Sequence, residues 1–286
     1  MTHAIRNLRL RRVPGLVRVL VSLAFLGLPT GQVLAQSSAG TLAGASTAAL
    51  DQTVLGEVIP FGAGTARSWV TLDDRGAPVA VGITLTEAAL HGLPTEATPG
   101  LIWMVEYILD LPDVPSLPFD HVGVNWNPRG HAPDGIYGAP HFDFHFYTIR
   151  PEDRRRITAR GDDLERCRKA PAAGLVPDGF VFAPDSEEPG MGGHWVDPAS
   201  HEFHGSPFTS TFIYGTHDGA VIFWEPMITK AYLETKSDVT VPLRVPQGYA
   251  HAGYYPTSYG VRYDAARKEH TVALEGLALR QPVAAR

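Results

Sequence analysis

The feature that most constrains this chain is an eight-residue stretch, Pro140-His141-Phe142-Asp143-Phe144-His145-Phe146-Tyr147, in which polar and aromatic residues alternate strictly. A period of two belongs to a β-strand, so His141, Asp143 and His145 share one face and Phe142, Phe144 and Phe146 the other. The aromatic face demands a core. The polar face carries three metal-ligating side chains in a row. Strand geometry sets Cα atoms at i and i+2 about 7 Å apart, whereas His141 and His145 lie about 13 Å apart, near or beyond what one ion at ~2.1 Å bonds can span. Asp143 is therefore the pivot: it can pair with one histidine, bridge two ions, or orient another ligand. The plain alternative is a surface ladder of polar groups over an aromatic core face.

A second alternating run, Asp120 to Asn127, turns Val122, Val124 and Trp126 one way and His121, Gly123, Asn125 and Asn127 the other. A hairpin between it and 141–149 places the two polar faces side by side and brings His121, Asn125 and Asn127 to the histidine–aspartate row. Strands are also expected at Val54–Ile59, Ala66–Leu72, Ala77–Ile83, Thr209–Tyr214, Ala220–Met227, Thr240–Leu243, Ser258–Asp264 and His270–Leu277, with Leu101–Leu111 read as mainly strand. Asp73-Asp74-Arg75-Gly76 and Thr216-His217-Asp218-Gly219 are hairpin turns. Thr84-Leu85-Thr86-Glu87 reads as a capping box opening a short helix to His91. Two solvated helices are expected over 150–170 and another over Ile228–Lys236. With 29 Gly and 24 Pro, the pattern is a mainly β (α+β) protein: antiparallel sheets or a barrel-like sandwich with a few short helices.

The chain opens on a targeting segment. Arg6, Arg9, Arg11 and Arg12 form a basic region, Val19 to Leu28 an apolar one, and Val33-Leu34-Ala35 a small-residue cleavage site. Residues 1–35 are thus expected to be a signal peptide, 36–52 a flexible leader, 53–280 one β-rich domain or two packed halves, and 281–286 a tail. This makes the protein secreted or periplasmic, with no stable membrane insertion after cleavage. The formal charge of −6 becomes more negative once the basic segment is removed, which argues against a nucleic-acid partner. The single cysteine, Cys167, excludes an intrachain disulfide, so stability must come from core, metal or oligomerisation. Its charged neighbours suggest an exposed thiol.

Beyond the row, Pro189-Gly190-Met191-Gly192-Gly193-His194-Trp195 is a glycine-rich loop delivering one histidine, and His194 is the candidate distant ligand. Glu225 ends an otherwise apolar strand and is a candidate ligand or base. His131 and His217 read as loop and turn residues, and His201 and His204 as a surface-loop pair. The candidate metal set is His141, Asp143, His145, His194 and Glu225. Zn, Mn, Fe and Cu all suit it, and Asp143 or Glu225 is the natural base if a bound water reacts. A metal-dependent enzyme and a non-catalytic stress-response assembly are the competing readings. No P-loop, dinucleotide fingerprint, Gly-x-Ser-x-Gly or His-Glu-x-x-His occurs.

Five segments together, Gly64-Thr65-Ala66-Arg67-Ser68-Trp69-Val70, Val124 to His131, Pro140 to Tyr147, Gly193-His194-Trp195 and Trp224-Glu225-Pro226-Met227, carry a resemblance. The chain resembles a domain family of unknown function in secreted bacterial proteins, typified by a thermophile protein under extracytoplasmic sigma-factor control. The resemblance implies a β-rich fold and, from the typifying protein, ring-like homo-oligomers; it implies no activity.

Overall fold

The computed structural model describes residues 52–96, 104–133 and 135–283. The expected signal peptide, the leader as far as residue 51, residues 101–103 of the expected fourth strand, and 284–286 lie outside the described residues. In chain order the strands are β1 (Gln52–Phe61), β2 (Gly64–Leu72), β3 (Pro78–Thr86), β4 (Val105–Asp110), β5 (His121–Asn127), β6 (His141–Tyr147), β7 (Val181–Phe182), β8 (Gly193–Val196), β9 (Ser210–His217), β10 (Ala220–Thr229), β11 (Val239–Pro242), β12 (Gly253–Tyr255), β13 (Ser258–Asp264), β14 (Glu269–Glu275) and β15 (Ala278–Arg280). Three short helices, α1 (Pro151–Arg154), α2 (Asp162–Arg168) and α3 (Lys230–Glu234), complete the set with two 3-10 turns at Glu87–Leu90 and His201–His204. Among the described residues no helix is long and apolar enough to cross a membrane.

The strands form a six-stranded sheet in the order β1-β2-β3-β14-β13-β11, a seven-stranded sheet in the order β4-β5-β6-β10-β9-β8-β7, and the small pair β12-β15. All strand pairings within them are antiparallel. No barrel closes; the two large sheets face each other over one shared core. Val70, Val81, Ile83, Val272 and Leu274 come to it from the first sheet, and Val122, Val124, Trp126, Phe142, Phe144, Phe146 and Trp224 from the second. Phe61 reaches across to Phe142, ring centroids 5.9 Å apart. At ~1.5–3 kcal/mol for each large side chain taken fully from water, the aromatic face of β6 is a principal anchor of the sandwich.

The other face of the seven-stranded sheet is covered too, and this overturns the surface-ladder reading. Every residue of β5 and β6 is buried. A second layer lies over the polar row, with Met104, Ile157, Cys167 and Met191 packed against Tyr147 and Phe223 at one end. Tyr137 and Phe208 pack against Ile213 and Met227 at the other.

Three local expectations need correction. The segment after Thr86 is a single 3-10 turn, because the Thr86 hydroxyl takes the amide of Thr65 instead of capping a helix. The charged stretch at 150–170 is not simply solvated. Arg154 is buried, donating to Glu106 and to the Gly190 carbonyl, with its guanidinium 4.0 Å above the Tyr147 ring. Cys167 is fully buried rather than exposed.

Candidate metal centre

The β5–β6 ladder sets the site. Its register pairs Asn127 with His141, Asn125 with Asp143, Gly123 with His145 and His121 with Tyr147. The β6–β10 register, pairing Trp224 with Phe146 and Met227 with Asp143, puts Glu225 directly across from His145. The polar row thus divides. His141 and Asp143 combine with His131 in one triad, and His145 combines with His194 and Glu225 in another; within each, the candidate ligand atoms lie within 4.8 Å of one another.

In the first triad His141 Nε2 is 3.2 Å from Asp143 Oδ1, and His131 Nε2 is 3.6 Å from Asp143 Oδ2. In the second, His145 Nε2 is 3.4 Å from Glu225 Oε1. Ligands held at ~2.1 Å in a tetrahedral shell are separated by about 3.4 Å, so these spacings fit donors around a shared cation. Three imidazoles are locked in the matching tautomer. The Nδ1–H groups of His131, His141 and His194 donate to the carbonyls of Ala132, Ala139 and Ser186 at 2.7, 2.7 and 2.6 Å. This leaves each Nε2 lone pair free for a ligand, the usual arrangement behind a metal-binding histidine. Asn127 fixes Asp143 by donating to Oδ2 at 2.7 Å.

His194 reaches the site across two strands, and glycine makes that possible. It pairs with Gly215 on β9, which pairs with Phe223 on β10. A Cβ at Gly215 would come within 1.9 Å of the Phe223 ring; its absence lets that ring lie 4.8 Å from His145 and 5.4 Å from His194. The neighbouring glycines serve the chain's own backbone. Gly192 has φ +77° and leaves 2.2 Å between a hypothetical Cβ and the Thr216 carbonyl.

The electrostatics of the two triads differ. Burial alone would raise the Asp143 pKa, but the neighbouring His141 and His131 imidazoles outweigh it and hold the carboxyl well below its ordinary range. Burial opposes charge on His131 as well, yet the nearby Asp143 carboxylate raises its pKa overall. In the second triad burial prevails: His145 is lowered to about 3, His194 to about 4, and Glu225 is raised well above a normal carboxyl, the Asp143 charge adding to burial. The first triad therefore holds a carboxylate with a proton-hungry histidine; the second holds neutral groups.

Polar atoms remain unmatched in both. His141 Nε2, Asp143 Oδ1, Asn127 Oδ1, His145 Nδ1 and Glu225 Oε2 are buried with no hydrogen-bond partner from the protein. Among the described residues, neither Asp143 nor Glu225 forms an ion pair with a Lys or Arg. Buried groups of this kind carry a desolvation penalty that a bound cation relieves.

The five residues expected as one ligand set are thus brought to one face but in two groups. Asp143 and Glu225, the two candidate bases, each belong to a different triad. His131, read as a loop residue, is a member of the first triad. The signal was present, since the β5–β6 register returns the chain after Asn127 to the His141 end of the row. Tyr137 and the buried Glu202, 3.4 Å apart through the phenol and Oε1, also border this region and carried no periodic signal. His201 lies beside Glu202, whereas His204 turns to the Pro198 carbonyl. A third close group, Asp163, Cys167 and His217, is internally satisfied. Asp163 accepts from His217 at 2.8 Å and from the amides of Thr158 and Ala159, and burial pushes the Cys167 thiol up to about 11. It latches α2 to the end of β9.

Fold and site define a class: an open antiparallel β-sandwich with two histidine–carboxylate clusters under a covering layer. Residues 73–126 match the TTHB210-like family, described as "Hypothetical protein TTHB210", which bears out the resemblance read from the sequence and brings no known function. The matched segment stops before all six triad residues. Neither the curated proteins nor the solved structures include a match to this chain.

Proposed function

We propose that this is a divalent transition-metal-binding protein of the bacterial envelope. It holds ions at two adjacent centres, His131–His141–Asp143 and His145–His194–Glu225, each with two imidazoles and one carboxylate. The observation that carries the reading is the convergence itself: six ligating side chains from β6, β8, β10 and the segment after β5, spaced as a coordination shell requires, with orphaned acceptors and no permanent counter-charge. Donor sets of two nitrogens and a carboxylate oxygen, without thiolate, suit Zn, Mn, Fe or Cu. The covering layer favours binding over turnover. Export rests on the order of basic, apolar and small residues in 1–35, and a mature mass beginning at Gln36 is its check. Self-association is supported by Val54, Leu55 and Val58, which are exposed on the edge strand β1, an arrangement that single chains usually avoid.

Elemental mass spectrometry on the untagged mature protein, reconstituted with each metal in turn, tests the proposal. The expected content approaches two ions per chain, falling to one in Asp143→Ala and to one in Glu225→Ala. A chain that stays metal-free after reconstitution overturns it.

A further inference from the structure

We infer that the two centres differ in exchange: the His131–His141–Asp143 centre is the exchangeable one, reached through a surface cleft closed by Phe208, while the other retains its ion. This rests on the two-centre reading above and assigns each centre its behaviour.

The cleft, of about 530 Å³, is lined among others by Ala139, Pro140, Phe208, Thr229, Lys230 and Tyr232. Three of these residues surround His141. The Ala139 carbonyl accepts its Nδ1–H, Thr229 sits opposite it in the β6–β10 ladder, and the Phe208 ring stands edge-on to its imidazole at 5.3 Å. Phe208 also packs edge-on against Tyr137 at 5.0 Å. It lies in Pro207-Phe208-Thr209, between a 3-10 turn and β9, outside the sheet ladder. The Phe208 ring, on a connecting segment, therefore lines the cleft and touches His141 of the first centre. Side-chain and loop rearrangements of this kind are fast and local, requiring no strand to separate. The cleft is mostly apolar, with Thr209, Thr229, Thr235 and a paired Lys230–Glu234 as its polar groups. Each centre has one partly exposed histidine, His131 in the first and His194 in the second, and its other two ligands are buried.

The second centre is enclosed differently. All three of its ligands stand on strands of one sheet, and the Phe223 ring packs against both histidines. His194 is held twice by Ser186, through its amide and through Nδ1. Releasing that ion means disturbing the sheet.

Zinc-loaded protein challenged with an excess of a chromophoric chelator tests the inference. Two release phases of one ion each are expected, the fast phase absent in His131→Ala and the slow one absent in Glu225→Gln. Phe208→Ala should accelerate the fast phase by about tenfold or more with the slow phase unchanged, as expected for removal of a local barrier. Phe208→Leu, with circular dichroism on both variants, gives a smaller acceleration in a better-filled core. A single phase releasing both ions, an unchanged fast phase in both Phe208 variants, or equal acceleration of both phases overturns this inference and leaves the two-centre reading standing. Absence of bound zinc overturns both.

Discussion

Replacing Glu225 with glutamine separates a metal ligand from a structural ion pair. Glu225 Oε1 lies 3.4 Å from His145 Nε2, which by distance alone is a salt bridge. Burial argues otherwise: it raises the carboxyl well above its ordinary pKa and lowers the imidazole to about 3. Burial thus favours the uncharged form of both partners in the metal-free pair, and the amide keeps the carboxyl's volume and polarity. Metal-free Glu225→Gln should accordingly stay within about 1 kcal/mol of the parent, the scale of one net hydrogen bond. Breaking a buried charge pair would instead cost about 3–5 kcal/mol. Zinc changes the comparison. At free zinc 100-fold above the dissociation constant, each occupied centre adds about 2.7 kcal/mol. For a domain of this size that is roughly 2–4 °C per kcal/mol, or about 5–11 °C per centre. Scanning calorimetry of the metal-free and zinc-loaded forms reads both quantities. Glu225→Gln should match the parent without zinc and gain about half its shift with zinc. A metal-free variant destabilised by more than about 3 kcal/mol, or an undiminished zinc shift, would refute the reasoning.

Gly215→Ala inserts a Cβ 1.9 Å from the Phe223 ring; it should destabilise the fold by about 1–3 kcal/mol and remove the second centre's metal while leaving the first's, as read by denaturant melts and elemental analysis. In His131→Ala, zinc binding should release protons, because burial favours the protonated Glu225 carboxyl, which must ionise, whereas His145 and His194 are held neutral by burial. Titration calorimetry in buffers of different ionisation enthalpy measures this, and affinity should weaken about tenfold per pH unit below the Glu225 pKa. Asp163 is opposed by burial yet drawn down to about 2 by His217 and the Thr158 and Ala159 amides. A lowered carboxyl stabilises the fold fully above its unfolded value and loses that contribution as pH falls through the folded one. Asp163→Asn should therefore unfold more readily than the parent at pH 6, with the difference fading by about pH 2.

The sheet scaffold was legible because it rests on period-two alternation. The β5–β6 hairpin followed from Val122, Val124 and Trp126 opposing the β6 phenylalanines, and its polar face followed with it. What the sequence did not carry was the covering layer. Tyr137, Phe208 and Met191 come from short irregular segments, and Arg154 from the one-turn helix α1, none with a readable period, so their burial depends on where the sheet leaves room. That hid the difference between a surface ladder and an enclosed site. Cys167 misled for a related reason: its charged neighbours on α2 face solvent, while the thiol points beneath them. The division of five residues into two groups was hinted at by the length of β6, which separates His141 from His145 too far for one ion. His131 escaped because a histidine outside a strand announces nothing until the hairpin register brings it back. The His194–Gly215–Phe223 arrangement needed three strands to be placed before Gly215 acquired a meaning.

Anomalous diffraction at the zinc edge from crystals of the zinc-loaded protein tests the central claim most directly. Two peaks are expected. One should be bound by Asp143 and the Nε2 atoms of His131 and His141, the other by His145, His194 and Glu225, with ligand distances of about 2.0–2.2 Å. Zinc found only at surface residues, or triads left empty while the crystals hold zinc elsewhere, would contradict it.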